Sequence, residues 1–416
     1  MHATLASALA SSPVAVSQVR QADAFTAARE AARQARDQLP ADAELGWLLT
    51  FAGGQHDPAA LLAGFRAELG DLPVVGGCGT GVITAAAASG TGYECGVLLF
   101  PASLTPTAIL SATGLDQDEV AVGRRLGAEL CALDLPAAST VLLFYDSVKS
   151  APPPVLHLGS RLLDGLYEGL ADAHPQVIGA GMLTDFDLSS GYVFDGREVR
   201  RHAAVAVVLP PGLVGRVAIM HGCLPASPFL EITRIEGARV LELDGRPALS
   251  VVEERLGVSR EDLLARHPLP ALTLGEKHGD PFAPFNDGQY VNRLVIAVDP
   301  ADDALVLFEA DFQVGSKIQL MAYEPWRMID SAREQTLSLL ASLEQRPPLF
   351  GLYIDCAGRS MAFSGMDEDE TAPVRQEVGA LCPLLGFYSG VEIAPFMGRA
   401  RPLDWTGVLA LFTLTT

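Results

Sequence analysis

The order of apolar runs and helix-forming stretches repeats three times along the chain, and this limits the folds that it can adopt. An apolar run ending in glycine (GWLLTFAGG, 46–54) is followed by helix formers and then by LPVVGGCGTG at 72–81. The same order returns at 139–185 and at 348–393. Apolar runs of this length bounded by glycine predict strands, so each repeat predicts a strand, a helix and a second strand.

A further apolar run closes each repeat, at 92–103, 202–211 and 406–415. Strands that alternate with helices predict an α/β (α+β) fold of mixed sheets flanked by helices. Two interpretations stay open. The repetition indicates internal duplication of one strand–helix–strand unit, or it is the ordinary alternation of elements in α/β proteins.

The predicted helices lie where strong helix formers cluster. Within the repeats they span 58–69, 156–170 and 370–381, and a further helix at 21–39 stops at Pro40. This last helix defines an N-terminal segment, 1–40.

A differently patterned region separates the second repeat from the third. It predicts a hairpin over 228–245 that leads into a helix with Pro247 in its first turn and Gly257 at its end. Three short strands and a helix at 325–343 follow. We place a domain boundary near Ile235, which gives domains over 41–235 and 236–416.

Composition excludes several classes of function. Hydrophobic residues make up 49% of the 416 residues and charged residues 19%, as in a globular protein with a large core. The formal net charge of −21 repels phosphate backbones and anionic lipid surfaces. Nucleic acid and membrane partners are therefore not expected.

The six cysteines are scattered singly, without a CxxC pair or a zinc-like grouping. This usage is typical of a reduced, intracellular protein. The N-terminal stretch has no signal-peptide pattern, and no run reaches the roughly 20 apolar residues of a membrane span. We expect a cytoplasmic location.

The third repeat carries polar side chains at the ends of its apolar runs, where α/β folds often place binding groups. These residues are Cys356, Arg359, Tyr388 and Glu392. The planar fork of Arg359 suits a carboxylate and Glu392 suits an ammonium group, so together they predict a site for an amino-acid-like zwitterion. The alternative is that Arg359 and Glu392 pair with each other or with acidic neighbours.

Five segments in order carry a family resemblance. They are VVGGCGTG, VIGAGMLTDFDLSSGYVFDG, HGCLPASPFLEITRIEGARVLELDGRPA, YIDCAGR and LLGFYSGVEIAP. In this combination the chain resembles the FIST family, in which an N-terminal and a C-terminal FIST domain occur together. The resemblance implies a bacterial sensory domain of signal transduction that binds a small molecule. We recognise no output domain, so we expect a stand-alone sensor that acts through a separate histidine kinase or cyclic-di-nucleotide enzyme.

The resemblance also implies site residues. Cys356 and Arg359 match a Cys-x-x-Arg pattern, and Tyr388 and Glu392 match a glycine–aromatic segment in which Val391 departs from the family by separating Gly390 from Glu392. In the N-terminal domain the resemblance adds Cys78 and Thr80 as candidates for ligand binding. Asp185, near the end of a predicted strand, is a further candidate for ligand binding and resembles a family position of similar polarity.

Three other functions stay open. Cys356 would be the nucleophile of a cysteine-dependent enzyme if Arg359 lowered its pKa and the fold supplied a base. His221 is a candidate haem ligand, because some FIST-like proteins are associated with haem and nitric oxide sensing. A protein-interaction module, whose acidic surface engages a partner, is the fourth class. No metal site other than haem is predicted.

Overall fold

The computed structural model describes residues 13–136, 138–259, 261, 272–344, 346–364 and 366–415. Residues 1–12 of the predicted N-terminal segment lie outside this part of the chain. Among the described residues, no helix combines the length and the apolar composition needed to cross a membrane.

The first unit begins with a strand that the sequence patterns did not predict. Its elements are β1 (Ala15–Arg20), α1 (Ala24–Arg36), β2 (Leu45–Gly53), α2 (Pro58–Leu69), β3 (Val74–Gly79), β4 (Val82–Thr84), β5 (Ala88–Ser89) and β6 (Glu94–Pro101), followed by a short 3₁₀ turn at Ala102–Leu104.

The second unit repeats this order with one additional hairpin after its second long strand. Its elements are β7 (Ala108–Thr113), α3 (Glu119–Cys131), β8 (Thr140–Asp146), β9 (Val148–Ser150), β10 (Val155–Leu156), α4 (Gly159–Leu170), β11 (Gln176–Met182), β12 (Val193–Gly196), β13 (Val199–Arg200) and β14 (Ala203–Val208).

The third unit starts with β15 (Leu213–Met220) and is interrupted by an inserted region, 221–324. The elements of the inserted region are β16 (Cys223–Pro225), β17 (Leu230–Glu236), β18 (Arg239–Leu243), β19 (Arg246–Pro247), α5 (Ala248–Leu256), β20 (Thr273–Lys277), a 3₁₀ turn at Asp287–Gln289, β21 (Tyr290–Asp299), β22 (Ala304–Leu307) and β23 (Lys317–Tyr323). Its antiparallel sheet closes on itself, because β20 pairs with both β21 and β23.

The third unit then continues in the same order as the other two. Its remaining elements are α6 (Pro325–Ser342), β24 (Phe350–Cys356), a 3₁₀ turn at Ala357–Arg359, α7 (Met361–Ser364), α8 (Ala372–Gly379), β25 (Leu384–Ser389), β26 (Val391–Phe396), β27 (Arg399–Leu403) and β28 (Gly407–Leu414).

The three units have the same sheet topology. The strand orders are β1-β6-β2-β3, β7-β14-β8-β11 and β15-β28-β24-β25. In each of these orders the third and fourth strands run parallel to each other. The second strand, which comes last in the sequence of its unit, pairs antiparallel with the third. A helix joins each parallel pair, because parallel strands need a crossover connection. The structure therefore confirms the α/β prediction and supports internal duplication over ordinary alternation.

Each unit also contributes a hairpin to the sheet of another unit. The hairpin β4–β5 of the first unit pairs with β25 of the third, β12–β13 of the second pairs with β3 of the first, and β26–β27 of the third pairs with β11 of the second. Each of the three sheets built by the units consequently has six strands from two units. Strands from both sides of Ile235 share sheets, and Ile235 itself lies within β17.

The inner faces of the three sheets meet in one central core. Along β8, Leu142 and Phe144 point into this core, whereas Val141 and Leu143 pack towards α3 and α4, as the two-residue period of a strand requires. The ring of Phe51 stacks at 3.8 Å on Phe387 of the third unit, so aromatic contacts tie the sheets together.

The first helix shows why the predicted helices form where they do. Asp23 caps α1 by accepting a hydrogen bond from the Thr26 backbone N–H at 2.8 Å. Alanines at three- and four-residue spacing form its buried face, which packs on the sheet. The observed bounds, Ala24–Arg36, lie within the predicted 21–39.

Candidate functional site

A cavity of about 440 Å³ lies where strands β11, β24 and β25 end. The carboxyl ends of these strands and the loops that follow them form one side, and the inserted region forms the other. Its lining residues are Leu183, Asp185, Phe186, Asp187, Leu188, Leu294, Val295, Ile296, Phe308, Cys356, Ala357, Gly358, Phe363, Ser389, Gly390, Asp404 and Trp405. Most of these side chains are apolar, and the described lining contains no lysine, arginine or histidine.

Cys356 ends β24 at the cavity, in register with Ser389 at the end of β25. Burial raises the pKa of the Cys356 thiol well above its usual range, and the nearby Glu392 carboxyl raises it further. Cys356 is therefore a protonated thiol at neutral pH, which is the unreactive form.

Glu392 lies behind Ser389, not in the cavity wall. Its Oε1 accepts a hydrogen bond from Ser389 Oγ at 2.7 Å, and its Oε2 accepts one from the Thr406 backbone N–H at 3.3 Å. Burial raises the pKa of this carboxyl well above its usual range. Glu392 thus supports Ser389 from inside the protein.

Arg359 is fully buried and does not line the cavity. Its Nε donates to Glu370 Oε1 at 2.9 Å and lies 3.1 Å from Asp355 Oδ1. Its Nη1 donates to the backbone carbonyls of Met220, His221 and Trp405. The guanidinium pairs with acidic neighbours, as the alternative interpretation held, and its pairing with Glu370 fixes the turn after β24.

Tyr388 is also buried, opposite Asp355 on the neighbouring strand. Burial raises the pKa of its hydroxyl well above the usual range, so the side chain is neutral. It lies outside the cavity lining.

Sequence reasoning missed Asp404 and Trp405, two polar residues of the cavity lining, as well as Ser389. Asp404 Oδ2 accepts a hydrogen bond from the Leu294 backbone N–H at 3.0 Å. Its Oδ1 and the Trp405 indole Nε1 are buried and have no hydrogen-bond partner among the described residues. Both residues precede β28, so the rule that polar groups cluster next to strand ends could have found them.

Burial raises the pKa of Asp404 to about 6, although the positive charge of Arg293 opposes the shift. At neutral pH the carboxylate is therefore mainly ionised. A buried carboxylate oxygen without a hydrogen-bond partner lowers the stability of the protein. A ligand group that donates a hydrogen bond to this oxygen would offset that cost.

The N-terminal candidates are divided between the cavity and the core. Asp185 lines the cavity, and its Oδ1 accepts a hydrogen bond from the Ser189 backbone N–H at 3.0 Å. Cys78 is buried against Tyr192, and burial raises its pKa. Thr80 is buried, and its backbone N–H donates to the Tyr388 carbonyl at 3.0 Å. Of the predicted ligand-binding residues, Cys356 and Asp185 line the cavity.

His221 does not fit a haem iron ligand. Its Nδ1 accepts a hydrogen bond from the Cys223 backbone N–H at 3.0 Å, and its Nε2 lies 3.2 Å from the Asp287 carbonyl oxygen. The ring is fully buried, and burial lowers its pKa, so it is neutral. No ring nitrogen is left to bind iron.

Glu309 joins the inserted region to the second unit beside the cavity. Its carboxylate accepts hydrogen bonds from the backbone N–H groups of Gly159 and Ser160, at 2.8 and 3.0 Å, and from Ser160 Oγ at 2.7 Å. These groups form the first turn of α4, whose dipole favours a negative charge. Burial nevertheless raises the pKa of Glu309 to about 7.

Comparison with known proteins finds mycobacterial relatives. An uncharacterized protein of Mycobacterium bovis, Mb0898c, is 26% identical over 406 residues, which cover 94% of this chain and 96% of that protein. An uncharacterized protein of Mycobacterium tuberculosis, Rv0628c, is 27% identical over 223 residues. That match covers 53% of this chain, and the chain spans 56% of the length of Rv0628c.

Among solved structures, a crystal structure of a chorismatase aligns with 97% of this chain and 98% of its own length. The identity is 9% and the TM-score 0.32, a likeness too weak to establish a common fold.

Family models account for most of the sequence. The FIST N domain matches residues 46–246 and the FIST C domain matches residues 248–395. These two matches lie end to end, in the order that the sequence motifs predicted, and the chain therefore belongs to the FIST family, whose domains are associated with signal transduction and small-ligand sensing.

Proposed function

We propose that this protein is a cytoplasmic sensor that binds a small molecule in the cavity at the ends of β11, β24 and β25. The observation that carries the proposal is the cavity itself. Its volume of about 440 Å³, its mainly apolar wall and its few polar groups are the properties of small-molecule sites.

The position of the cavity suggests how binding becomes a signal. The loop 183–188 belongs to the second unit, Cys356 and Ser389 end strands of the third, and Leu294 and Phe308 belong to the inserted region. A ligand that contacts all three parts favours the arrangement in which they lie closest together. A separate partner protein, such as a histidine kinase or a cyclic-di-nucleotide enzyme, would bind differently to the changed arrangement and so respond to the ligand.

The cavity wall complements only one of the two charged groups of an amino-acid-like ligand. Asp404 offers a carboxylate to an ammonium group, whereas no cationic side chain of the described lining faces a carboxylate. Arg359, which the sequence assigned to that role, has its donors occupied by Glu370 and backbone carbonyls.

A fragment screen by ligand-observed NMR tests the proposal. The matched variants are Ile296→Trp, which fills the cavity from β21, and Val314→Trp, which adds the same side chain at an exposed position outside the lining. We expect fragments that bind the wild type and Val314→Trp but lose binding to Ile296→Trp. If every binder is indifferent to Ile296→Trp, the cavity is not the site.

A further inference from the structure

We infer that the cavity selects a compact apolar molecule that carries a protonated amine and no carboxylate, with Asp404 as the counter-ion of the amine. This inference rests on the proposed function, because it assigns a chemical class to the ligand of the same cavity. It departs from the zwitterion that the sequence predicted.

The first support is the hydrogen bonding of Asp404. The residue is 3% exposed and lines the cavity. Its Oδ2 is held by the Leu294 backbone N–H, so the carboxylate is fixed in orientation, while Oδ1 has no partner within the described structure. An ammonium group at Oδ1 would supply both the missing hydrogen bond and the missing positive charge.

The second support is that Arg293, the cation whose charge acts on Asp404, is already neutralised. Arg293 is fully buried, and its Nε and Nη2 donate to the two oxygens of Asp311 at 2.6 and 2.5 Å. Its Nη1 donates to the carbonyls of Asn292 and Pro402. Arg293 therefore moderates the field at Asp404 without occupying Oδ1, and the negative charge remains available to a ligand.

The third support is the charge of the remaining lining. Asp185, which is partly exposed, and Asp187, which is exposed, line the cavity from the loop after β11 and add negative potential to it. With no basic residue in the described lining, a ligand carboxylate would meet three aspartates and no counter-ion. The same field attracts an amine.

The fourth support is the aromatic and aliphatic wall. Phe186 of the second unit stacks on Phe363 of the third, with ring centroids 5.3 Å apart, and both rings line the cavity. Such a wall suits the apolar body of the ligand and tolerates a cation near its ring faces. The unpartnered indole N–H of Trp405 is available to a neutral acceptor, such as a ligand hydroxyl or carbonyl oxygen.

Isothermal titration calorimetry at pH 7.5 with matched probes tests the inference. The probes are phenethylamine, 2-phenylethanol, 3-phenylpropionate and phenylalanine, which share an aromatic body and differ in charge. We expect phenethylamine to bind roughly 10- to 100-fold more tightly than the alcohol, the range that one charge-assisted hydrogen bond supplies, and the anion to bind most weakly.

Two variants assign the effect to Asp404. Asp404→Asn keeps the shape and removes the charge, so we expect it to lose most of the preference for the amine over the alcohol. Asp172→Asn, on the surface and outside the cavity, should keep that preference. If Asp404→Asn fails to fold, the order of the affinities of the four probes for the wild type tests the inference by itself.

The outcomes separate this inference from the proposed function. If the alcohol, the anion or phenylalanine binds as tightly as the amine, or if folded Asp404→Asn keeps the preference, the inference is overturned. Should such binding still be lost in Ile296→Trp, the cavity remains a small-molecule site and only the ligand class is wrong. The proposed function itself fails if no screened compound responds to Ile296→Trp.

Discussion

Arg359 and Glu370 form a two-pronged ion pair inside the protein, with Arg359 Nε 2.9 Å from Glu370 Oε1 and Arg359 Nη2 2.5 Å from Glu370 Oε2. Both side chains are buried, and Asp355 lies 3.1 Å from the same Nε. The pair connects the turn after β24 to the segment before α8. It thereby holds the third-unit side of the cavity in place without entering it.

Arg359→Ala should destabilise the protein strongly. Removal of the guanidinium leaves Glu370 and Asp355 as unpaired buried carboxyls, a change that typically costs about 3–5 kcal/mol. Urea denaturation would measure the loss. The control is Arg124→Ala, which breaks the exposed pair with Glu168 and should cost no more than about 1 kcal/mol. A stable Arg359→Ala protein that has lost only ligand binding would show that Arg359 is a ligand contact after all.

Cys356 should resist alkylation at neutral pH, because burial and Glu392 raise the pKa of its thiol and keep it protonated. Cys131 is exposed and is expected to react first with iodoacetamide. Peptide mass spectrometry would locate the label, and Cys131→Ser should remove most of it. Rapid labelling of Cys356 in the folded protein would contradict this account and favour the cysteine-dependent enzyme.

Glu309 should make stability fall as pH rises. Burial raises its pKa from 4.5 to about 7, so the folded state binds more protons than the unfolded state between these values. Stability from this group is therefore full below about pH 4.5 and is lost as pH rises through about 7. Asp404 strengthens the shift and Arg293 opposes it.

Urea denaturation of the wild type and Glu309→Gln at several pH values between 4.5 and 8 would measure this contribution. The variant retains an acceptor for the first turn of α4 but cannot ionise. We expect the stability of the variant relative to the wild type to increase with pH, by on the order of 2–3 kcal/mol across the range. A difference that stays constant with pH would show that Glu309 has an ordinary pKa.

Segments 13–235 and 236–415 should not fold separately. The first needs β26–β27 to cover β11, and the second needs β4–β5 to cover the edge of β25. Exposed edges of this kind favour aggregation. Size-exclusion chromatography of each segment, alone and coexpressed, would test the expectation. Cooperative unfolding of either segment alone would instead support independent domains with a boundary near Ile235.

The long elements of the fold could be predicted from sequence because each has a local signal. The α2 bounds, Pro58–Leu69, match the prediction, since Asp57 caps the helix and Gly70 ends it. The predicted hairpin near 228–245 appears as β17 and β18, and α5 ends at Gly257 with φ of 63°. Capping and turn residues act locally, so a single sequence reveals them.

The exchanged hairpins could not be predicted. Strands β4 and β5 have three and two residues, too few for a periodic pattern, and β25, with which β4 pairs, lies about 300 residues away in sequence. The strand β1 was missed because it is short and its apolar residues do not alternate with the polar ones: Ser17 is buried, whereas Val16 is partly exposed. Pairing over such distances depends on the whole fold.

The site was only partly predictable for the same reason. Cys356 and Asp185 were found because they follow strands, and the structure places both in the cavity wall. The sequence left the role of Arg359 open between ligand contact and internal ion pair, because Glu370, its partner, lies eleven residues away across a turn and a short helix. Asp404 and Leu294 meet only because the inserted region folds back on the third unit.

The most direct test of the central claim is a crystal structure of the protein with the tightest-binding fragment from the NMR screen. We predict density for the fragment in the cavity, in contact with Cys356, Ser389 and Trp405, and bounded on the far side by Leu294 of the inserted region. A fragment bound elsewhere, with the cavity empty at saturating concentration, would contradict the account.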